Sequence, residues 1–502
     1  MSISQIVTDY ITLAIQHGVG TEIDRNYLQN RLLSLIGETT LEKTQIAPVS
    51  ATGLELTERL LAVAVNNGVI ADEITARDIL EAKLTDLLTP APSVVNGIFS
   101  RYYQKDPQAA TDYFFELSKN NNYIKTKNIA KNIVFETDTA YGTLDITINL
   151  SKPEKDPKAI AAAVNHTSVS YPSCLLCMEN EGYEGRLDHP ARTNHRIIRL
   201  NVANEKWGLQ YSPYAYYNEH CIVLSEDHRP MKISAKTFER LLKITQELPH
   251  YFVGSNADLP IVGGSILTHD HYQGGRYEFA MEKAPVEKQI ELAEFPTIQA
   301  GIVKWPLSVL RLNGTEIDAL VAAANHILET WQEYSDESLD IRAFSADGTP
   351  HHTITPIARR RGELFELDLV LRDNNISEEH PDGIFHPHQD VQHIKKENIG
   401  LIEVMGLAVL PPRLKDELVE VEKYLLAEEN ELAESHLVWA DEIKANHAIT
   451  KENVTQVVQA AVGAVFARVL EDCGVFKRNT FGQAGFARFI EELATIKERQ
   501  VS

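Results

Sequence analysis

Four cysteines in 502 residues, Cys174, Cys177, Cys221 and Cys473, are too few for a disulfide framework. Basic residues are outnumbered, 48 Lys and Arg against 71 Asp and Glu. The net charge of −23 argues against nucleic-acid binding through a general basic surface. An anionic small molecule would need locally placed cations and backbone amides. No apolar run reaches the roughly 18–20 residues of a membrane span. The most apolar late stretch, Val454 to Leu470, is interrupted by Gln456, Gln459 and Arg468. The opening MSISQIVTDY has no basic region followed by an apolar one, so no signal peptide is expected and the cytoplasm is the default. Neither a P-loop nor a Rossmann fingerprint occurs, which leaves ATP hydrolysis and NAD chemistry without a motif. What remains is the composition of an ordinary globular enzyme, 43% hydrophobic and 24% charged, long enough for two or three domains.

The densest chemistry lies in Asp258 to Gly275, DLPIVGGSILTHDHYQGG. The apolar, β-branched run Leu259 to Leu267, set around Gly263 and Gly264, predicts strand, turn, strand. On an extended segment side chains alternate, so His269, His271 and Gln273 share one face. Two imidazoles and an amide beside a backbone open to close approach suit phosphoryl transfer. A loop with two solvated histidines is the plainer alternative. Cys174-Leu-Leu-Cys177 has three readings: two buried small residues, a redox pair, or half of a zinc site. The surrounding NHTSVSYPS offers no thioredoxin-like context for the second.

Residues 1–130 read as helical. Ile3, Ile6, Val7, Tyr10, Ile11 and Ala14 recur at helical spacing, and Gly18 supplies a stop. LAIQHGV from Leu13 resembles VAVNNGV from Val63, and YLQNRLLSLIG from Tyr27 resembles ILEAKLTDLLT from Ile79. That weak repeat predicts two related helical hairpins. After a polar stretch at Asn120 to Asn122, NIVFET and TLDITINL read as strands, followed by a surface connection and a short helix over 161–164. Two α+β units come next, over 131–290 and 291–410, each with strands and then a helix. Antiparallel sheet fits both. Residues 411–502 read as helical and acidic, with KDELVEVEKYLLAEENELAESH as one long amphipathic helix.

The run DLPIVGGSILTHDHYQGG resembles the signature of the second class of galactose-1-phosphate uridylyltransferases, the form typical of Gram-positive bacteria. Its HDHYQ core is similar to the HPHCQ core of the first class, within the wider histidine-triad superfamily. The resemblance implies an α+β fold with a duplicated antiparallel half-barrel core, to which N- and C-terminal helical regions are added. It also implies a structural zinc. CLLCMEN resembles the family's CxLC pattern and CIVLSEDH the strand that ends at a third ligand, which maps the ligands onto Cys174, Cys177, His228 and His269. A second metal is left out: Glu287, His351, His352, His386 and His388 do not reproduce the spacing that the first class uses.

By the same resemblance, His271 is the nucleophile. It takes uridylyl from UDP-glucose, releasing glucose 1-phosphate, and passes it to galactose 1-phosphate. Its other ring nitrogen requires an acceptor, most simply a backbone carbonyl, to fix the tautomer. Gln273 donates to a phosphoryl oxygen, and Gly264, Ser265 and Asn256 meet the nucleotide. The spacing from Ser265 to His269 is one residue longer than in the first class. Arg359 to Arg361 offer cations for the hexose phosphate. UDP-sugars and hexose 1-phosphates are the implied partners of a homodimer, with no nucleic acid and no membrane. The rival readings are a dinucleoside-polyphosphate phosphorylase or nucleotide hydrolase of the same superfamily, and a zinc-stabilised sugar-nucleotide sensor.

Overall fold

The computed structural model describes residues 2–151 and 170–494; the short helix expected over 161–164 lies outside them. In chain order the strands are β1 (Ile133–Thr139), β2 (Gly142–Ile148), β3 (Ile198–Val202), β4 (Glu205–Tyr211) and β5 (Cys221–Ser225). They continue as β6 (Phe252–Gly254), β7 (His271–Gly275), β8 (Val286–Ile290), β9 (Gln299–Val303) and β10 (Val309–Gly314). The last are β11 (His352–Arg361), β12 (Leu364–Asp373) and β13 (Leu407–Leu410). Mixed helices and antiparallel sheet make this an α+β protein. The chain forms two compact units. One gathers Met1–Ala130, Ser151–Ala215 and Glu219–Arg229; the other gathers Lys131–Leu150, Tyr216–Asn218 and Pro230–Ser502.

In the first unit the repeat in the sequence is a repeat in structure. Helices Ile3–Gln16 and Arg25–Ile36 form one hairpin, and Gly53–Asn66 and Ile74–Asp86 form the next. Ser2 and Thr52 cap the two leading helices by accepting from the N–H of Gln5 and Glu55. Both leading helices stop in the same way. Val19 N–H donates to Ala14 O and Val69 N–H to Ala64 O, around Gly18 and Gly68 at φ +79° and +69°. Ile6, Tyr10, Leu28, Leu32, Leu56, Leu60, Leu80 and Leu84 fill one shared core. The polar Asn stretch ends the next helix pair by burial. Asn121 and Asn194 each donate a side-chain N–H to the other's backbone carbonyl at 2.8 Å. β3, β4 and β5 form an antiparallel meander.

In the second unit β1, β2 and β13 form a small sheet, with β13 parallel to β2. A larger antiparallel sheet runs β7-β6-β11-β12-β10-β9-β8. Helices Ala235–Glu247 and Ile317–Glu333 pack on each other and on this sheet. Three expectations need correction. Leu259 to Leu267 is not a strand: Pro260 removes a donor, and Ile261 at φ +72° turns the chain, so only Ala257 and Gly263 bridge. The long acidic helix breaks into Leu414–Leu425 and Glu434–Asn446, with Ala427 left-handed at φ +57° between them. Val454–Cys473 is, by length and composition, apolar enough to cross a membrane. Its Val458, Val462, Phe466 and Val469 are nevertheless buried in the core of this unit, where Gly463 lies against Thr137.

Candidate active site

β7 carries His271 and Gln273 on a short strand paired with β6, Gly254 standing opposite Gln273. The alternation predicted for 269–273 is seen from its other face. Arg240, on the helix Ala235–Glu247, reaches Asp270 Oδ2 and Tyr272 Oη, each at 3.4 Å. His271 and Gln273, which flank Tyr272 on β7, therefore point away from that helix, while His269 and Asp270 precede the strand. His269 is fully buried, His271 is buried and Gln273 half-buried. His271 Nδ1 lies 2.7 Å from the carbonyl oxygen of His269. A carbonyl only accepts, so Nδ1 carries the proton and Nε2 keeps its lone pair. Burial pushes the His271 pKa down to about 4, against the opposing pull of that carbonyl. The imidazole is neutral at pH 7.

The glycine turn is shaped by close contacts. A Cβ on Gly263 would stand 2.6 Å from the carbonyl oxygens of Ala257 and Leu259. One on Gly264 would stand 2.6 Å from Asn256 Nδ2. Asn256, buried, accepts the Leu401 N–H on Oδ1 at 2.9 Å. The structure thus brings Asn256 and Gly264 together, while Ser265 is exposed.

In the first unit Cys174, Cys177 and His228 converge, their ligand atoms within 4.8 Å of one another. The two Sγ atoms are 3.4 Å apart, and Cys177 Sγ is 3.1 Å from His228 Nδ1. The loop is pinned by Asn180, whose Nδ2 donates to the carbonyls of Cys174 and Cys177 at 2.7 and 2.8 Å. Burial and the adjacent Cys174 push the Cys177 thiol up to about 12. A thiolate there requires a compensating cation, and two thiols with an imidazole are zinc-type donors. The donor set fits a metal. His269 belongs to the second unit.

Residues 20–230 match the N-terminal domain of galactose-1-phosphate uridyl transferase, and residues 243–441 match its C-terminal domain. The galactose-1-phosphate uridylyltransferase of Enterococcus faecalis is 59% identical over 488 residues, 97% of this chain and 98% of that protein. That of Pediococcus pentosaceus is 60% identical over 476 residues, 94% and 96%. This chain belongs to the galactose-1-phosphate uridylyltransferase family. A crystal structure of yeast Ap4A phosphorylase with Ap4A is similar at 11% identity and TM-score 0.36, covering 72% of this chain and 95% of that one.

Several residues that shape this uridylyltransferase site have no signal in spacing. Asp258 accepts from Ile233 N–H at 2.9 Å and pairs with the Thr353 hydroxyl, which ties the start of the signature to β11. Tyr217 Oη donates to Gly274 O at 3.1 Å. Arg359 is not an open cation: it is buried against Glu366 and Asp368. Arg361 also pairs with Glu366, and Arg360 lies over the Phe365 ring. The histidines set aside for a second metal are engaged elsewhere. His352 stacks on Trp331 and meets Asp373 at 3.0 Å, while Glu287 pairs with Arg478.

Proposed function

We propose that this chain transfers uridylyl from UDP-glucose to galactose 1-phosphate through a uridylyl-His271 intermediate. The observation that carries the reading is the bond from His271 Nδ1 to the carbonyl of His269, two residues earlier and just before β7. It leaves Nε2 as an oriented nucleophile that needs no deprotonation. Nε2 attacks the α-phosphorus, the phosphoanhydride P–O bond breaks, and glucose 1-phosphate departs with the electron pair. Galactose 1-phosphate then attacks the same phosphorus through a phosphate oxygen, and the N–P pair returns to imidazole. Gln273 donates its amide to a non-bridging oxygen, where negative charge grows. Asn256 with the turn at Gly264 and Ser265 receives the nucleotide.

Cys174, Cys177 and His228, with His269 as the fourth, would hold a zinc. With four protein ligands its role is structural, fastening the residue that precedes the nucleophile by two. The fold belongs to the same reading. In it the core is a duplicated antiparallel half-barrel, one copy in the α+β unit over 131–290 and the other in that over 291–410. The helical region over 1–130, the α+β units over 131–290 and 291–410 and the helical region over 411–502 are its divisions. A cytoplasmic homodimer follows from family resemblance.

Intact-mass spectrometry after mixing with UDP-glucose tests this, with an alkaline quench because phosphoramidates are acid-labile. One uridylyl adduct is expected, discharged by galactose 1-phosphate and absent in His271→Ala. Turnover without an adduct would refute the covalent route.

A further inference from the structure

Along the β11–β12 hairpin one face carries Thr353, Thr355, Ile357 and Arg359, opposite Arg372, Val370, Asp368 and Glu366. The ladder continues through β6, with Ile357 opposite Gly254 and Gly254 opposite Gln273. Arg372 therefore shares its sheet face with Gln273 and His271. Arg311, opposite Asp368 on β10, belongs to this face as well. Arg311 and Arg359 are each neutralised by carboxylates. Arg372 is the exception.

Arg372 is 1% exposed and no carboxylate bonds it among the described residues, the Glu403 carboxylate attracting it only from farther off. Its Nη2 donates to the Ile399 carbonyl at 2.9 Å, its Nη1 reaches Thr355 Oγ1 at 3.4 Å, and its Nε has no partner. A methionine would fill similar volume without desolvating a charge, so packing gives no reason for a guanidinium here. Its bond to Ile399 gives one. Ile399 leads through Gly400 to Leu401, whose N–H is the donor to Asn256 Oδ1. Gly400 passes so close that a Cβ there would stand 3.1 Å from that oxygen. With Oδ1 engaged, Asn256 turns its Nδ2 toward Gly264.

We propose that Arg372 is a positioning residue for uridylyl transfer, fixing the 399–401 turn so that Asn256 presents its amide beside the glycine turn. This rests on the function proposed above. Arg372 holds the Ile399 carbonyl, the turn holds Asn256, and Asn256 meets the nucleotide.

A double-mutant cycle tests it, read as the single-turnover rate of His271 uridylylation by UDP-glucose. Arg372→Met and Asn256→Ala should each slow the step by about tenfold or more, the scale of a lost charge-assisted hydrogen bond. The double variant should be no slower than the slower single, because both act through one contact. Arg372→Lys, which keeps a donor for Ile399, should recover most of the rate. If Arg372→Met gives no cooperative melt, Arg372→Gln, which removes the charge and shortens the side chain, carries the same cycle with the same expected loss. A rate within about twofold of wild type, or effects that multiply in the double variant, would overturn the role of Arg372. No adduct in the wild type would instead sink the function, and the two failures are distinct.

Discussion

Asn256 touches two segments that no spacing rule connects, the turn at Gly264 and the amide of Leu401. Its carboxamide is held through Oδ1 and its Nδ2 faces Gly264, so a methyl group there finds no empty space. The added carbon would lie 2.6 Å from Nδ2 and 2.8 Å from Cγ. Gly264→Ala should introduce about 1–3 kcal/mol of strain, hence roughly 5- to 150-fold weaker UDP-glucose binding. Calorimetric titration of the folded variant measures this directly. Unchanged affinity would remove Asn256 and its turn from the nucleotide site.

Among the elements, the β10–β11–β12 stack holds a buried charge cluster. Arg311 Nε meets Asp368 Oδ1 at 2.7 Å, and Arg359 bonds Asp368 and Glu366. Burial alone would raise the Asp368 carboxyl, but Arg359 and Arg311 outweigh it and hold it below the usual carboxylate range. A depressed folded value contributes stability that is fully present above the unfolded pKa of about 3.9 and lost as pH falls through the folded one. Urea melts should be level from about pH 7 to 5 and weaken below about pH 4. Asp368→Asn should cost about 3–5 kcal/mol at neutral pH, since it leaves two buried guanidinium groups short of a partner. It should also flatten the acid limb. A variant as stable as wild type would mean that solvent already neutralises the cluster.

For the whole molecule, the four thiols divide into two environments. Cys221 and Cys473 are buried, and burial pushes the Cys473 thiol up to about 12. Cys174 and Cys177 stand in the ligand cluster with His228. The purified protein should hold about one zinc per chain, and Cys177→Ser should lose it. Ellman's reagent should find no rapid thiol in the native protein, the half-buried Cys174 after chelation and all four after unfolding. Rapid reaction of Cys174 and Cys177 in untreated protein would argue against a metal there.

The sequence by itself determined what local rules control. Alternation put His271 and Gln273 on one face of β7, because a strand has a period of two wherever it lies, whereas His269 precedes that strand. Helix periodicity and the repeated glycine stops made the hairpin duplication of 1–130 legible, because a left-handed cap is a local requirement. Family resemblance, also a property of the sequence, named the CxxC pair and His228. The tertiary structure decided what depends on contact between distant segments. Asp258, Tyr217, Leu401 and Arg372 acquire their roles only when β11, β12 and the 399–401 turn come beside the signature. The arginine run at 359–361 reads as solvated or phosphate-facing until β12 brings Glu366 and Asp368 into place. Arg359 and Arg361 meet Glu366 and Asp368 only 5 to 9 positions on, across the β11–β12 hairpin, whereas Arg372, Asp258 and Asn256 meet Ile399, Thr353 and Leu401 from 27, 95 and 145 positions away.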